Sequence, residues 1–238
     1  MLQTHGMADL GSGESVHTPH SITTARKDRT MSTRKPARIS PYGSVDNIIR
    51  FYDRATPDDI AQGIAWYRDA NAFAHTLAEH GRITIDQACD IIAANSINTP
   101  WDRNVILAWH HVVNGHTVYS GTTRVITHMV DRILSGERLH DIVGRDSRKV
   151  RSFSCNIGGD LDVATIDRWA YRIWTGLQEC ECTKHRKDGT LKHGCGHVPN
   201  GAEYEACAND YMIAASRLGL NVAVLQAITW IVLRGSAS

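Results

Sequence analysis

The chain has 238 residues with 42% apolar side chains, long enough to bury a core without disulfides. Lys and Arg number 26 against 25 Asp and Glu, a formal charge of +1, which excludes a uniformly basic coat or an acidic tail but not a locally basic face. Six unevenly spaced cysteines do not form a dense secreted disulfide framework, no apolar run reaches the length of a membrane span, and the N-terminus lacks a signal-peptide core, so the expected setting is intracellular with no membrane partner.

Residues 1–43 are rich in Ser, Thr, Gly and His and carry Arg26, Lys27, Arg29, Arg34, Lys35 and Arg38. Too little apolar surface is available to offset the entropy of ordering, which predicts a disordered, basic arm. Helical punctuation begins at Val45. Thr56-Pro57-Asp58-Asp59 reads as N-cap, first-turn proline and first-turn acids, with Ile60, Ile64, Tyr67, Ala70, Ala74 and Leu77 at helical spacing up to Gly81. Thr84 and Gln87 form a capping-box pattern before Ile91 and Ile92. Further helices are expected from Pro100 to near Gly115, Thr123 to Leu134, Leu139 to Val143, Ser147 to Ile157, Thr165 to Trp174, Ala202 to Leu218 and Val222 to Leu233. No stretch alternates with period two, so the expected class is all-α, with a core over 44–177 closed by helices in 201–238.

Residues 178–200 break the helical pattern. Cys180-x-Cys182 and Cys195-x-His197 bracket a polar stretch containing Asp188-Gly189, a hairpin-turn pair. Two close ligand pairs separated by a turn suit a closed structural zinc site, with His185 and His193 as alternates. Cys89, Cys155 and Cys207 fall on helical faces and are expected to be small buried side chains. His110, His111, His116 and His128 have no acidic partner at fixed spacing and read as polar-face or hydrogen-bonded core residues. No glycine-rich stretch ends in the Lys-Ser/Thr of a phosphate loop, and no nucleotide cofactor is indicated.

The most informative run is Gly144 to Arg172. Lys149 lies on a helix that ends at Asn156-Ile157-Gly158-Gly159, and Thr165-Ile166-Asp167 opens the next helix, with Asp167 in its first turn and eighteen residues after the lysine. Lys149 lies among Arg145, Arg148 and Arg151, so its simplest reading is one member of a solvated or phosphate-facing basic cluster; Asp167 by itself reads as an acid favoured by the helix dipole.

This run resembles the helix-hairpin-helix DNA glycosylase superfamily, the endonuclease III-like group. There a short hairpin precedes a helix bearing a nucleophilic Lys, and an Asp follows eighteen residues later at a helix start. Ile91-Ile92-Ala93-Ala94-Asn95, followed by Asn104, resembles that family's Leu-Leu-Ser-Ala-Gln segment and its Asn, and the present spacing is two residues longer, with Pro100 and Trp101 between. Only Gly144 of the Gly-x-Gly hairpin is present, and Arg168-Trp169 stands where the family has Thr-His. The family's iron–sulfur cysteine spacing is absent. The stretch is also similar to a group of bacteriophage proteins with a Lys-Val-x-x-Phe, Asn-Ile, Thr-Ile-Asp run and a closing Gln-Ala-Ile-Thr-Trp helix, matched by Gln226 to Trp230. For a phage-encoded chain the compartment would be the host cytoplasm.

The resemblance implies a helix-hairpin-helix glycosylase-like core that binds DNA. Lys149 and Asp167 are then the catalytic pair. Asn95 or Trp101 fills the gap left by an extruded base, while Asn104, Gly144, Arg145, Arg148 and Arg151 contact DNA. Three functions follow: a glycosylase or lyase acting on an extruded base; a phage DNA hypermodification enzyme that joins an amino acid or amine to an activated thymine; and a DNA-binding module without catalysis.

Overall fold

The structure, a computed structural model, describes residues 39–115, 123–144, 147–176, 199 and 201–234. Among the described residues there are ten helices and no strand: α1 (Val45–Tyr52), α2 (Pro57–Gly81), α3 (Ile85–Asn95), α4 (Trp101–Val112), α5 (Thr123–Leu134), α6 (Leu139–Ile142), α7 (Arg148–Ile157), α8 (Arg168–Trp174), α9 (Gly201–Leu218) and α10 (Val222–Arg234). The all-α expectation holds. Both capping boxes form: Thr56 with Asp59 at the start of α2 and Thr84 with Gln87 at the start of α3. No single described helix is long and apolar enough to cross a membrane.

The apolar faces gather into two groups. Leu77 of α2, Ile91 and Ile92 of α3, Ile133 of α5 and Ile157 of α7 fill the first. Ile48 of α1, Ile173 and Trp174 of α8, Tyr211 of α9 and Leu225 of α10 fill the second. Helix α10 belongs to both, since Ala223 lies in the first group and Val222 and Leu225 in the second. It crosses α2 at Gly63, where an added Cβ would stand 2.3 Å from Ile228 Cγ1 and 2.9 Å from the Ile228 backbone. Only a residue without a side chain permits that approach.

The segment leading into α1 is docked on α8. Ser44 N donates to Trp174 O (3.1 Å), Asn47 Nδ2 donates to Trp174 O (2.7 Å) and Tyr42 O (2.8 Å), and Gly43 lies flat against the Trp174 ring. The expected arm boundary at residue 43 therefore falls inside a packed segment, because Trp174 offers both an indole surface and a free helix-end carbonyl. Residues 1–38 lie outside the described residues.

Candidate functional site

Lys149 and Asp167 stand on helices that belong to different packing groups, α7 to the first and α8 to the second. Lys149 is the second residue of α7 and half-buried; its Nζ donates to Ser96 Oγ (2.9 Å) just past the end of α3. The ammonium also sits 5.1 Å from the centre of the Phe153 ring, one turn along the same helix. Burial lowers the Lys149 pKa from the ordinary lysine value, and the Asp167 charge acts against that shift.

Asp167 occupies the N-cap of α8 and not its first turn, which corrects the predicted helix start at Thr165. Its backbone is extended (φ −102°), and Oδ1 accepts hydrogen bonds from Trp169 N (2.9 Å) and Ala170 N (2.8 Å). Burial raises the Asp167 pKa; the two backbone donors and the Lys149 charge pull the other way. Each residue thus stands among the other's charge partners, one held toward the free amine and the other toward the protonated acid.

The connection between the two helices is fixed at both ends. Asn156 Nδ2 donates to Asp160 O and Val163 O, each at 2.8 Å, and its oxygen accepts from the Thr165 hydroxyl. Thr165 N donates to Gln226 Oε1 of α10 (3.0 Å), and Ile166 N donates to the Tyr204 hydroxyl of α9 (3.2 Å). Thr165 and Ile166 are buried, so these bonds satisfy backbone groups that water does not reach. Tyr67 of α2, a buried residue, meets Thr165, and the Asp167 charge helps burial raise its hydroxyl pKa.

The remaining predicted site residues divide. Trp101 is half-buried, 5.0 Å from Trp66 and 6.4 Å from Phe73 between ring centres, and lines a cavity of about 420 Å³ with Gln62, Trp66, Asp69, Phe73 and Val105. Trp66 is in turn 5.9 Å from Phe153, so the cavity's aromatic wall runs to the ring beneath Lys149. Asn95 and Asn104 are 0% and 1% exposed, so neither presents a surface to a duplex, which corrects their expected DNA contacts. Their amides donate to Ile91 O (2.9 Å) and Ile92 O (3.1 Å), because the end of α3 is covered by α4. The carboxamide oxygens of both have no hydrogen-bond partner among the described residues.

Gly144 is exposed, has no left-handed φ, and an added Cβ there would meet nothing within 4 Å; its backbone makes no demand for glycine. Arg145 lies outside the described residues. Arg148 ties α7 to α9, donating to Glu205 Oε1 (2.7 Å) and Gly201 O (3.0 Å) with its guanidinium 5.9 Å from the Tyr204 ring. Arg151 is half-buried and lines a second cavity of about 560 Å³ with Arg138, His140, Arg148, Tyr204 and Glu205. Cys180, Cys182, Cys195 and His197 lie outside the described residues; among the described residues no three His, Cys, Asp or Glu side chains gather to hold a metal. Cys89 and Cys207 are buried as expected, but Cys155 is exposed on the outer side of α7. His111 is buried with neither ring nitrogen hydrogen-bonded among the described residues, so it is not the satisfied core histidine expected, and burial lowers its pKa.

Sequence reasoning missed Ser96, Tyr67 and Asp90. Asp90 is 2% exposed and accepts from Arg138 Nε (2.9 Å), Leu139 N (3.0 Å) and the Ser154 hydroxyl, joining α3, α6 and α7 behind the site. An acid within the apolar run of α3 was the available signal for it. Ser96 and Tyr67 carry no local signal, since their partners lie 53 or more residues away.

No curated protein and no solved structure matches the chain. Residues 30–237, which take in every element of both packing groups, match a protein family described as a family of unknown function, DUF7178, and the chain belongs to that family.

Proposed function

We propose that the chain is a DNA-binding enzyme with a helix-hairpin-helix glycosylase-like core, acting on an extruded base by glycosylase-type chemistry. One observation carries this reading: Lys149 and Asp167, eighteen residues apart, are both half-buried, the lysine held on Ser96 Oγ and the aspartate on the first N–H groups of α8, and each charge acts on the other. A surface basic cluster gives a lysine neither the burial nor the carboxylate.

Burial that favours the neutral amine supplies the lone pair a nucleophile needs. The Lys149 nitrogen attacks the sugar anomeric carbon, and the glycosidic bond breaks with its electron pair leaving on the base. The proton shed by the amine goes to the departing base. Expulsion of the ring oxygen, which takes a proton from solvent, then leaves an iminium between Lys149 and the opened sugar. The Asp167 carboxylate stabilises the positive charge that develops on the sugar as the bond breaks. Access to the anomeric carbon requires the base to leave the stack.

The test is DNA binding at low salt followed by borohydride trapping. Wild-type protein is expected to bind DNA and to give a reduced covalent adduct. Lys149→Arg retains the charge and loses the free amine, so it is expected to bind and give no adduct. No DNA affinity at low salt, where phosphate contacts are strongest, refutes the proposal.

A further inference from the structure

The residues after Asp167 build a second feature. Trp169 of α8 is ringed by three guanidinium groups: Arg168 and Arg172 of α8, each 5.2 Å from the indole centre, and Arg234 at the end of α10, 5.5 Å from it. Arg234 also lies 4.6 Å from the ring of Trp230. Arg168 and Arg234 are exposed and Arg172 is half-buried. None of the three forms an ion pair among the described residues, although Arg132, Arg138, Arg148 and Arg217 do.

Three like charges around one ring lie within about a Debye length of one another, ~8–10 Å at physiological salt, so they repel without being screened apart. Arg168 and Arg172 stand at the spacing where like charges oppose helix formation. The indole face offsets part of that repulsion and holds the guanidiniums in fixed places. An arrangement that concentrates unpaired positive charge on a rigid platform is relieved by an anion with several charges at short spacing. Successive phosphates on one strand, ~3.4 Å apart along the helix axis, have that spacing, and the guanidinium fork matches their oxygens.

We propose that Arg168, Arg172 and Arg234, organised by Trp169, form a phosphodiester clamp that holds the DNA strand next to the Lys149–Asp167 pair. This rests on the reading of that pair as a DNA-processing site. Two further observations favour DNA over other polyanions. Arg168 adjoins Asp167 in the chain and is among the charges felt by both Lys149 and Asp167, so a strand on the clamp passes the pair. Arg148, which adjoins Lys149 in the chain, is bound to Glu205, so its charge is already paired while those of the Trp169 cluster are not paired among the described residues.

The experiment is a salt titration of full-length protein binding to a labelled DNA duplex by fluorescence anisotropy. Replacing all three arginines by Ala is expected to lower the slope of log affinity against log salt by about 3, near one per phosphate contact, and to weaken binding at least ~10-fold. A triple Arg→Lys variant is expected to recover most of the slope, since it restores charge without the fork; it also checks that loss of binding is not loss of fold. Wild-type binding with an unchanged slope in the Ala variant overturns the clamp and leaves the function proposal standing. Absence of wild-type DNA binding at low salt overturns both. Equal or tighter wild-type binding to anionic phospholipid vesicles, lost in the Ala variant, assigns the cluster to a membrane surface and overturns the DNA clamp.

Discussion

Asp167 has two separable roles, and a pair of substitutions separates them. Its carboxylate caps α8 through two backbone N–H groups, and its charge acts on that of Lys149. Asn caps a helix about as well as Asp, so Asp167→Asn is expected to change stability by no more than about 0.5 kcal/mol. Asp167→Ala leaves both donors without an acceptor in a part-buried place, a loss of about 1–2 kcal/mol. In a chain of this size each kcal/mol corresponds to roughly 2–4 °C in Tm, so the Ala variant should melt about 2–8 °C lower and the Asn variant within about 2 °C of wild type. Activity should divide differently. Removing a charge that stabilises a cationic transition state costs about 10²–10³-fold, and it costs the Asn variant as much as the Ala variant. The pH dependence of stability gives a third readout. Burial raises the folded-state pKa of Asp167, so folding takes up a proton between the ordinary aspartate value and the raised one. That contribution is fully present below the ordinary value and is lost as pH rises through the raised one; Asp167→Asn should flatten the wild-type profile in that window. The assays are thermal melts across pH and single-turnover adduct formation. Equal destabilisation by Asn and Ala would refute the cap, and full activity in Asp167→Asn would refute the catalytic role.

Gly63→Ala should destabilise the chain by up to about 2 kcal/mol in a thermal melt, since overpacking of about 1–3 kcal/mol is offset by only the ~1 kcal/mol gained in helix propensity. The control is Gly144→Ala, which meets open space and should be neutral or slightly stabilising; equal losses at the two positions would show that α10 does not approach α2 as closely as described. If Cys180, Cys182, Cys195 and His197 close the tetrahedral site expected from the sequence, elemental analysis of purified protein should find about one zinc per chain, and chelation should leave the helical circular dichroism signal largely intact. Absence of zinc with freely reactive thiols at those positions would end that expectation.

Local signals carried the fold a long way. The caps at Thr56 and Thr84 are written within four residues of chain, and both form as read. Asp167 was legible as a helix-start acid, but its register was not, because the helix begins only where Thr165 and Ile166 have been drawn into the core by Gln226 and Tyr204, 61 and 38 residues away. The same distance hid Ser96 as the partner of Lys149. Asn95 misled for the converse reason: an amide near a helix end reads as surface until another helix is known to cover it. Arg234 gave no sign of belonging with Arg168 and Arg172, since 62 residues of chain separate Arg172 from it and only the packing of α10 against α8 brings it to Trp169.

Helix α10 links these observations. Its Ile228 backbone rests on Gly63, its Gln226 carboxamide fixes Thr165 two residues before Asp167, Ala223 N donates to Leu161 O in the same connection (3.1 Å), and its last residue places a guanidinium on Trp169. Lys149 is held by α7 and Ser96 in one packing group and Asp167 by α8 in the other, so the distance between amine and carboxylate depends on how the two groups sit across α10. A helix buried on nearly all sides transmits such displacements because close-packed interiors do not absorb them locally. Substitutions along α10 that touch neither Lys149 nor Asp167 therefore act on the site through geometry.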